Sequence, residues 1–173
     1  MNDIDERLAN DLVSDHHRIL GTTDHAGADR LAESLARIGV LLESQRVELF
    51  RRSDDEYSLI GWWTALGHGA EVDPVAPYPV QVSWFPWSLG HVRPTESLFV
   101  RNGGSLPTRP GGGRRMRNLG MGSAVCLPLA DCPGDVGPAL GAVCAYWATE
   151  RPDWPADRGE AARDLGRDAL LDS

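Results

Sequence analysis

Four of the six tryptophans, Trp62, Trp63, Trp84 and Trp87, fall close together in the chain, with Tyr78 and Phe85 beside them. Aromatic side chains of this size line small-molecule pockets well, and they pack cores equally well. Neighbours in a strand point to opposite faces, so only one of Trp62 and Trp63 can look at any one face of a sheet. Further on, Arg109, Arg114, Arg115 and Arg117 flank Gly111-Gly112-Gly113. Glycine-loop amides with guanidinium forks can hold a phosphate or carboxylate, although a solvated loop accounts for the same residues. This run has neither the spacing nor the residues of a Walker A loop. Gly120-Met121-Gly122 precedes an expected strand, whereas a dinucleotide fingerprint must follow one.

The remaining reactive side chains are sparse. Cys126, Cys132 and Cys144 have no CxxC spacing, which speaks against a structural zinc site. Cys126 and Cys144 lie in apolar runs, where a free thiol behaves as a small buried hydrophobe, and Cys132 lies in a loop. His16, His17, His25, His68 and His91 are scattered, and a lone histidine near a pocket is usually a polar surface residue or a satisfied core one. Ser123 is not a hydrolase elbow, because Met121 occupies a position that G-x-S-x-G requires to be glycine. No carboxylate pair at a readable spacing suggests acid-base work.

Composition narrows the classes further. The chain has 173 residues, the size of one ordinary domain, with the apolar and charged fractions of a globular protein. Its 17 basic residues are all arginine against 25 acidic ones, a formal net charge of -8. That field repels nucleic acid and anionic membranes. Without lysine there is no Walker A lysine, Schiff-base lysine or Ser-Lys dyad. The acidic start Met1-Asn2-Asp3-Ile4-Asp5-Glu6 is unlike a signal peptide, and no apolar run is long enough for a membrane helix, so a cytoplasmic protein with reduced thiols is expected.

The elements that must position these residues follow from periodicity. Ile4, Leu8, Leu12, Val13, Ile19 and Leu20 suggest an exposed amphipathic helix in a separate segment, residues 1–21, ahead of one domain spanning 22–173. A second helix carries Ala28, Leu31, Leu35 and Ile38 on one face, with N-cap candidates at Thr22-Thr23-Asp24. Arg46 to Arg52 and Tyr57 to Trp63 read as a hairpin around Ser53-Asp54-Asp55-Glu56. A Gly/Pro loop over 67–79, a short aromatic helix or turn over 82–89 and a strand over 96–101 come next. Residues 114–119 suit a short helix, 123–129 and 139–147 suit two apolar strands, and Pro155 can open a last helix over 156–171. Strand-helix alternation is missing, so the fold expected is α+β on an antiparallel sheet.

From Trp63 onward the chain resembles the GAF family of small-ligand sensor domains. The resemblance rests on Trp63-Thr64-Ala65-Leu66-Gly67, Pro86-Trp87 with Leu89, Glu96-Ser97-Leu98-Phe99-Val100 and Leu106-Pro107. It continues through Leu119-Gly120-Met121-Gly122-Ser123, Pro128-Leu129, Leu140-Gly141-Ala142 and Arg151-Pro152-Asp153-Trp154, with Arg46-Val47-Glu48-Leu49-Phe50 similar to the first strand. It implies a central antiparallel sheet of five or six strands, terminal helices packed on one face, and a loop-roofed cavity on the other. The candidate ligand-binding residues on that layout are Trp63, Trp84, Trp87, Phe99, Arg101, Arg115, Ser123 and Cys126, with Trp87 on the roof and Arg101 at the mouth. No catalytic or metal-binding residue and no particular cofactor is specified, although haem on His91 is conceivable by analogy with some members. The function implied is sensing of a small molecule, with relay through the terminal helices of a homodimer to a separate output protein. A ligand-free dimerisation or interaction module is the alternative. A cysteine-dependent methionine sulfoxide reductase, known within the family, fits less well because two of the three cysteines sit in late strands.

Overall fold

Two halves of a hairpin, each alternating between faces, lie side by side in the sheet. The computed structural model describes residues 17–19, 25–54, 56–65, 80–81, 93, 95–106, 113–131 and 137–173. In chain order the elements are β1 (His17–Ile19), α1 (His25–Leu41), β2 (Arg46–Ser53), β3 (Glu56–Thr64), β4 (Val80–Gln81), β5 (Leu98–Val100), α2 (Gly113–Asn118), β6 (Ser123–Leu129), β7 (Gly141–Trp147) and α3 (Gly159–Leu171). Five strands make the open antiparallel sheet in the order β3-β2-β7-β6-β5, and the short β1 and β4 both pair with β3. Asp54 closes the β2–β3 turn at φ 50, a left-handed conformation that Asp tolerates better than most residues.

The register of this hairpin decides which tryptophan faces which side. Leu49 pairs with Gly61 while Phe50 pairs with Leu59, so Ile60 is one residue too many on β3. Such a bulge bends the strand and resets its alternation. Trp62 then joins Tyr57, Leu59, Phe50, Cys126, Cys144 and Tyr146 on one face. Trp63 joins Val47, Leu49, Val125, Val143 and Trp147 on the other, beneath the helices.

Helix α1 buries Leu31, Leu35 and Ile38, spaced so that they share one face, as the sequence pattern suggests. It packs on β2 and β3 and against α3, which contributes Ala162, Ala169 and Leu170 to the same layer. Both helices sit on one side of the sheet, as expected. Close approach is secured by glycine: a Cβ at Gly39 would overlap the Trp63 ring, and one at Gly166 would overlap Val143. The opposite face is also covered, since every residue of β6 and β7 is buried. That is why both strands read as unbroken apolar runs rather than alternating ones. Met116 of α2, with Leu119, Met121 and Val100, closes one part of this second face.

Two expectations change. The N-terminal helix expected over Ile4 to Leu20 is a strand at His17–Ile19, where residues 17, 18 and 19 pair with Trp63, Trp62 and Gly61. Unpaired backbone groups along the outer edge of β3 are satisfied by such pairing, which outweighs a helical apolar pattern. The rest of that expected helix lies outside the described residues, as do the loop over 67–79 and the aromatic helix or turn over 82–89. The last helix begins with a 3-10 turn, Ala156–Arg158, so that α3 proper starts at Gly159. No helix among the described residues is long and apolar enough to cross a membrane.

Two stability outcomes follow from this packing. Gly39→Ala gains about 1 kcal/mol of helix propensity, yet overlap with Trp63 makes it destabilising by about 1 to 3 kcal/mol. Denaturant unfolding checks this, and in a Trp63→Leu background the penalty should shrink or vanish. Burial pushes the Tyr57 phenol from its ordinary 10.0 up to about 12. The folded chain therefore holds that proton more tightly than the unfolded one. Its contribution to stability is complete below pH 10, and roughly 2 to 3 kcal/mol is lost as pH rises towards 12. No lysine titrates in this window, and Tyr57→Phe should flatten the slope measured by unfolding at each pH.

Candidate functional site

On the face turned away from the helices, β2 presents Arg46, Glu48 and Phe50 in alternation. Arg46 and Glu48 are both fully buried, at 0% exposure. Their cross-strand neighbours are Thr64 and Trp62 on β3 and Tyr146 and Cys144 on β7. Arg46 Nε donates to Glu48 Oε1 at 2.9 Å, and the Tyr146 hydroxyl donates to Glu48 Oε2 at 2.9 Å. The guanidinium carbon of Arg46 lies 4.5 Å from the Trp62 ring centroid, a cation–π distance.

This arrangement uses one side of the guanidinium and leaves the other without a hydrogen-bond partner. Arg46 Nη1 and Nη2, Trp62 Nε1 and Thr64 Oγ1 are all buried without a hydrogen-bond partner. Each such group costs about 1 to 3 kcal/mol when cut off from water and from any acceptor. A buried ion pair is itself weak support for stability, since apolar residues of similar size often do as well. The cluster thus carries a free-energy cost that folding alone does not require. Binding of a group that accepts hydrogen bonds would remove it.

Beside the cluster the floor is made of small side chains. Ala142 and Cys144 on β7 and Ala124 and Cys126 on β6 are all fully buried on this face. Cys126 and Cys144 are register partners with their sulfurs 3.1 Å apart, and both are free thiols. Burial, and then the Cys144 thiol beside it, push the Cys126 thiol well above its ordinary range. Protonated and enclosed, Cys126 is poorly set up as a nucleophile. Among the described residues no group of three or more His, Cys, Asp and Glu side chains could hold a metal ion.

The structure separates the residues singled out from sequence. Cys126 lies on the floor just described. Trp63 packs under α1, and Phe99 makes an edge-to-face contact with Trp147 at 6.2 Å in the helix-side core, so both look away from the cluster. Strand parity explains the first: with Trp63 on the helix side, Trp62 takes the other face. Arg101 is exposed. Ser123 serves as a clasp between segments, with its Oγ 2.9 Å from the Arg101 carbonyl oxygen and 2.8 Å from that of Thr149, while it accepts from the Arg151 N–H at 2.6 Å. Arg115 lies on α2, and Trp84, Trp87, Cys132 and His91 lie outside the described residues. Sequence reasoning missed Arg46, Glu48, Trp62, Thr64 and Tyr146 as a group. The available signal was the pair of charges in Arg46-Val47-Glu48 at alternate positions of a strand otherwise destined for the core.

No family model and no curated protein matches the chain. Solved structures do. A GAF domain/HD domain protein from Geobacter sulfurreducens aligns with a TM-score of 0.62 at 16% identity, covering 84% of this chain and 90% of that one. A red/green cyanobacteriochrome in its red light-absorbing state gives 0.63 at 15% identity, with 84% and 92% covered. The GAF domain of a two-component sensor histidine kinase from Bacillus halodurans gives 0.59 at 13%, with 84% and 91% covered. At identities this low the likeness is one of fold, and with its open antiparallel sheet and helices on one face this chain has a GAF-like fold.

Proposed function

We propose that this domain is a sensor in a signalling system: it binds a small molecule on the sheet face opposite its helices and relays occupancy through them to a separate output protein. One observation carries the reading. Four polar groups in a single buried cluster, Arg46 Nη1 and Nη2, Trp62 Nε1 and Thr64 Oγ1, lack partners in a place where burial makes that costly. A ligand would satisfy them. The neighbours of this fold include a sensor histidine kinase and a cyanobacteriochrome, which is in keeping with a signalling role. The domain acts by binding and does not catalyse, and it works in the cytoplasm.

Relay requires helices that touch both the sensing sheet and something outside it. Helices α1 and α3 pack on each other and on β2, β6 and β7, while Val40 on α1 and Leu171 on α3 are exposed at 58% and 62%. These apolar side chains favour a second element of the proposal, a homodimer through the helix layer. They also support the alternative of a ligand-free assembly module.

Two measurements test this section. Mass spectrometry of protein purified under native conditions and then denatured should release a small molecule, and that compound should raise the melting temperature of the emptied domain. A well-folded domain that carries nothing and responds to no compound in a broad screen refutes sensing and leaves the assembly module. Thr64→Val, nearly the same shape without the unpartnered hydroxyl, should raise the melting temperature of the empty domain by a few degrees. A drop in its place would show that the hydroxyl has a partner.

A further inference from the structure

We propose that Cys126 and Cys144 are a redox-responsive pair, which a hydroperoxide converts to a reversible disulfide joining β6 to β7. The proposal concerns a modification site and stands independently of the sensor reading.

Geometry carries it. The two residues are register partners on adjacent antiparallel strands, and both belong to the sheet face turned away from the helices. Cross-strand partners have Cα atoms about 4.5 to 5.5 Å apart, inside the roughly 4.4 to 6.8 Å that a disulfide spans. Their sulfurs are 3.1 Å apart, so bond formation needs an approach of about 1 Å. Both thiols are free, and neither strand has to leave its ladder to bring them together.

The reaction balances with hydrogen peroxide as the two-electron oxidant. One sulfur attacks the peroxide, the O–O bond breaks, and a sulfenic acid and a water form. The second sulfur then displaces the sulfenic oxygen as another water. Two S–H bonds are lost, one S–S bond is made, and both thiol protons end in the two waters.

Access sets the rate. Both side chains are fully buried, and burial, followed by the neighbouring Cys144 thiol, pushes the Cys126 thiol well up, so the closed domain resists oxidation. Cys126 nevertheless lies one strand in from β5, the last strand of the described sheet. Its partner there is the half-buried Leu98, in a strand of three residues. So short a strand makes few ladder bonds, and its local opening uncovers Cys126 before Cys144, which is paired on its far side with Glu48 of β2. That order makes Cys126 the sulfur that meets peroxide and Cys144 the one that closes the bond. The cross-link then forms beside the Arg46 cluster, because Glu48 and Cys144 are neighbours in the ladder.

The whole chain, reduced and then freed of reductant, is exposed to hydrogen peroxide and read by intact mass and by digestion without reduction. Asp131 and Asp135 stand between the cysteines, so cleavage before aspartate places Cys126, Cys132 and Cys144 in separate peptides. The expected product has lost two hydrogens, links the Cys126 and Cys144 peptides, and returns to its starting mass with dithiothreitol. It should melt a few degrees above the reduced chain, because the cross-link restricts the unfolded state. Cys132→Ser should behave in the same way, and adding Cys144→Ala to it should leave oxygen on Cys126 and no cross-link. The wild-type measurement decides the matter even where a variant fails to fold. A bond to Cys132, oxygen added at Cys126 with Cys144 untouched, or a cross-linked chain that melts below the reduced one overturns the proposal. So does a folded chain still reduced after an exposure that fully oxidises the same chain unfolded in guanidinium.

Discussion

The 2.9 Å contact between Arg46 Nε and Glu48 Oε1 governs this molecule, because it sits where a charge is hardest to keep. Strand β2 lies in the middle of a sheet covered on both faces, and neither residue reaches water. Each charge offsets the other, the Tyr146 hydroxyl donates to the carboxylate, and the Trp62 ring lies against the guanidinium. Everything else on that face is arranged around the pair. Next to the pair, the neighbouring strands supply the Thr64 hydroxyl, the Trp62 indole N–H and the Tyr146 phenol, with Ala142, Cys144, Ala124 and Cys126 beside them on the same face. Stability would be served as well by an apolar pair of equal volume. On the proposed reading, the pair is preparation for a ligand.

The two faces of the sheet divide the labour. The helix face is filled to close packing, with glycines at Gly39 and Gly166 that let α1 and α3 settle against Trp63 and Val143. A change in helix position would be felt directly by β3 and β7, the strands that carry Trp62 and Tyr146 on their other face. The two faces are joined through residues that are neighbours in sequence, Trp62 with Trp63 and Tyr146 with Trp147. On the sensor reading proposed above, no longer pathway is needed.

Much of the scaffold was legible in the sequence because it follows from local periodicity. The run Ser123–Leu129 is a strand with the bounds its apolar pattern suggests, and Leu31, Leu35 and Ile38 mark the buried stripe of α1. The open antiparallel sheet and the helices on one face agree with the resemblance and with the solved GAF structures. The site was less legible for definite physical reasons. Assigning Trp62 and Trp63 to faces needs the Ile60 bulge, which only the cross-strand register reveals. Ser123 looked like a pocket residue, but its partners are the backbones of Arg101, Thr149 and Arg151, distant in sequence or set by the fold. Arg46 and Glu48 were read only as part of a strand, since nothing local says that a charged residue in an alternating strand will meet its counter-charge rather than water.

The most direct measurement of the central claim is a crystal structure of the domain purified in its native, unrefolded form, inspected around Arg46. Density for a bound molecule with an acceptor within hydrogen-bond distance of Arg46 Nη1 or Nη2 and of Trp62 Nε1 is the expected result. The account is contradicted if another side chain of the chain itself fills that position and satisfies those donors, because the cluster would then be part of the core and nothing more.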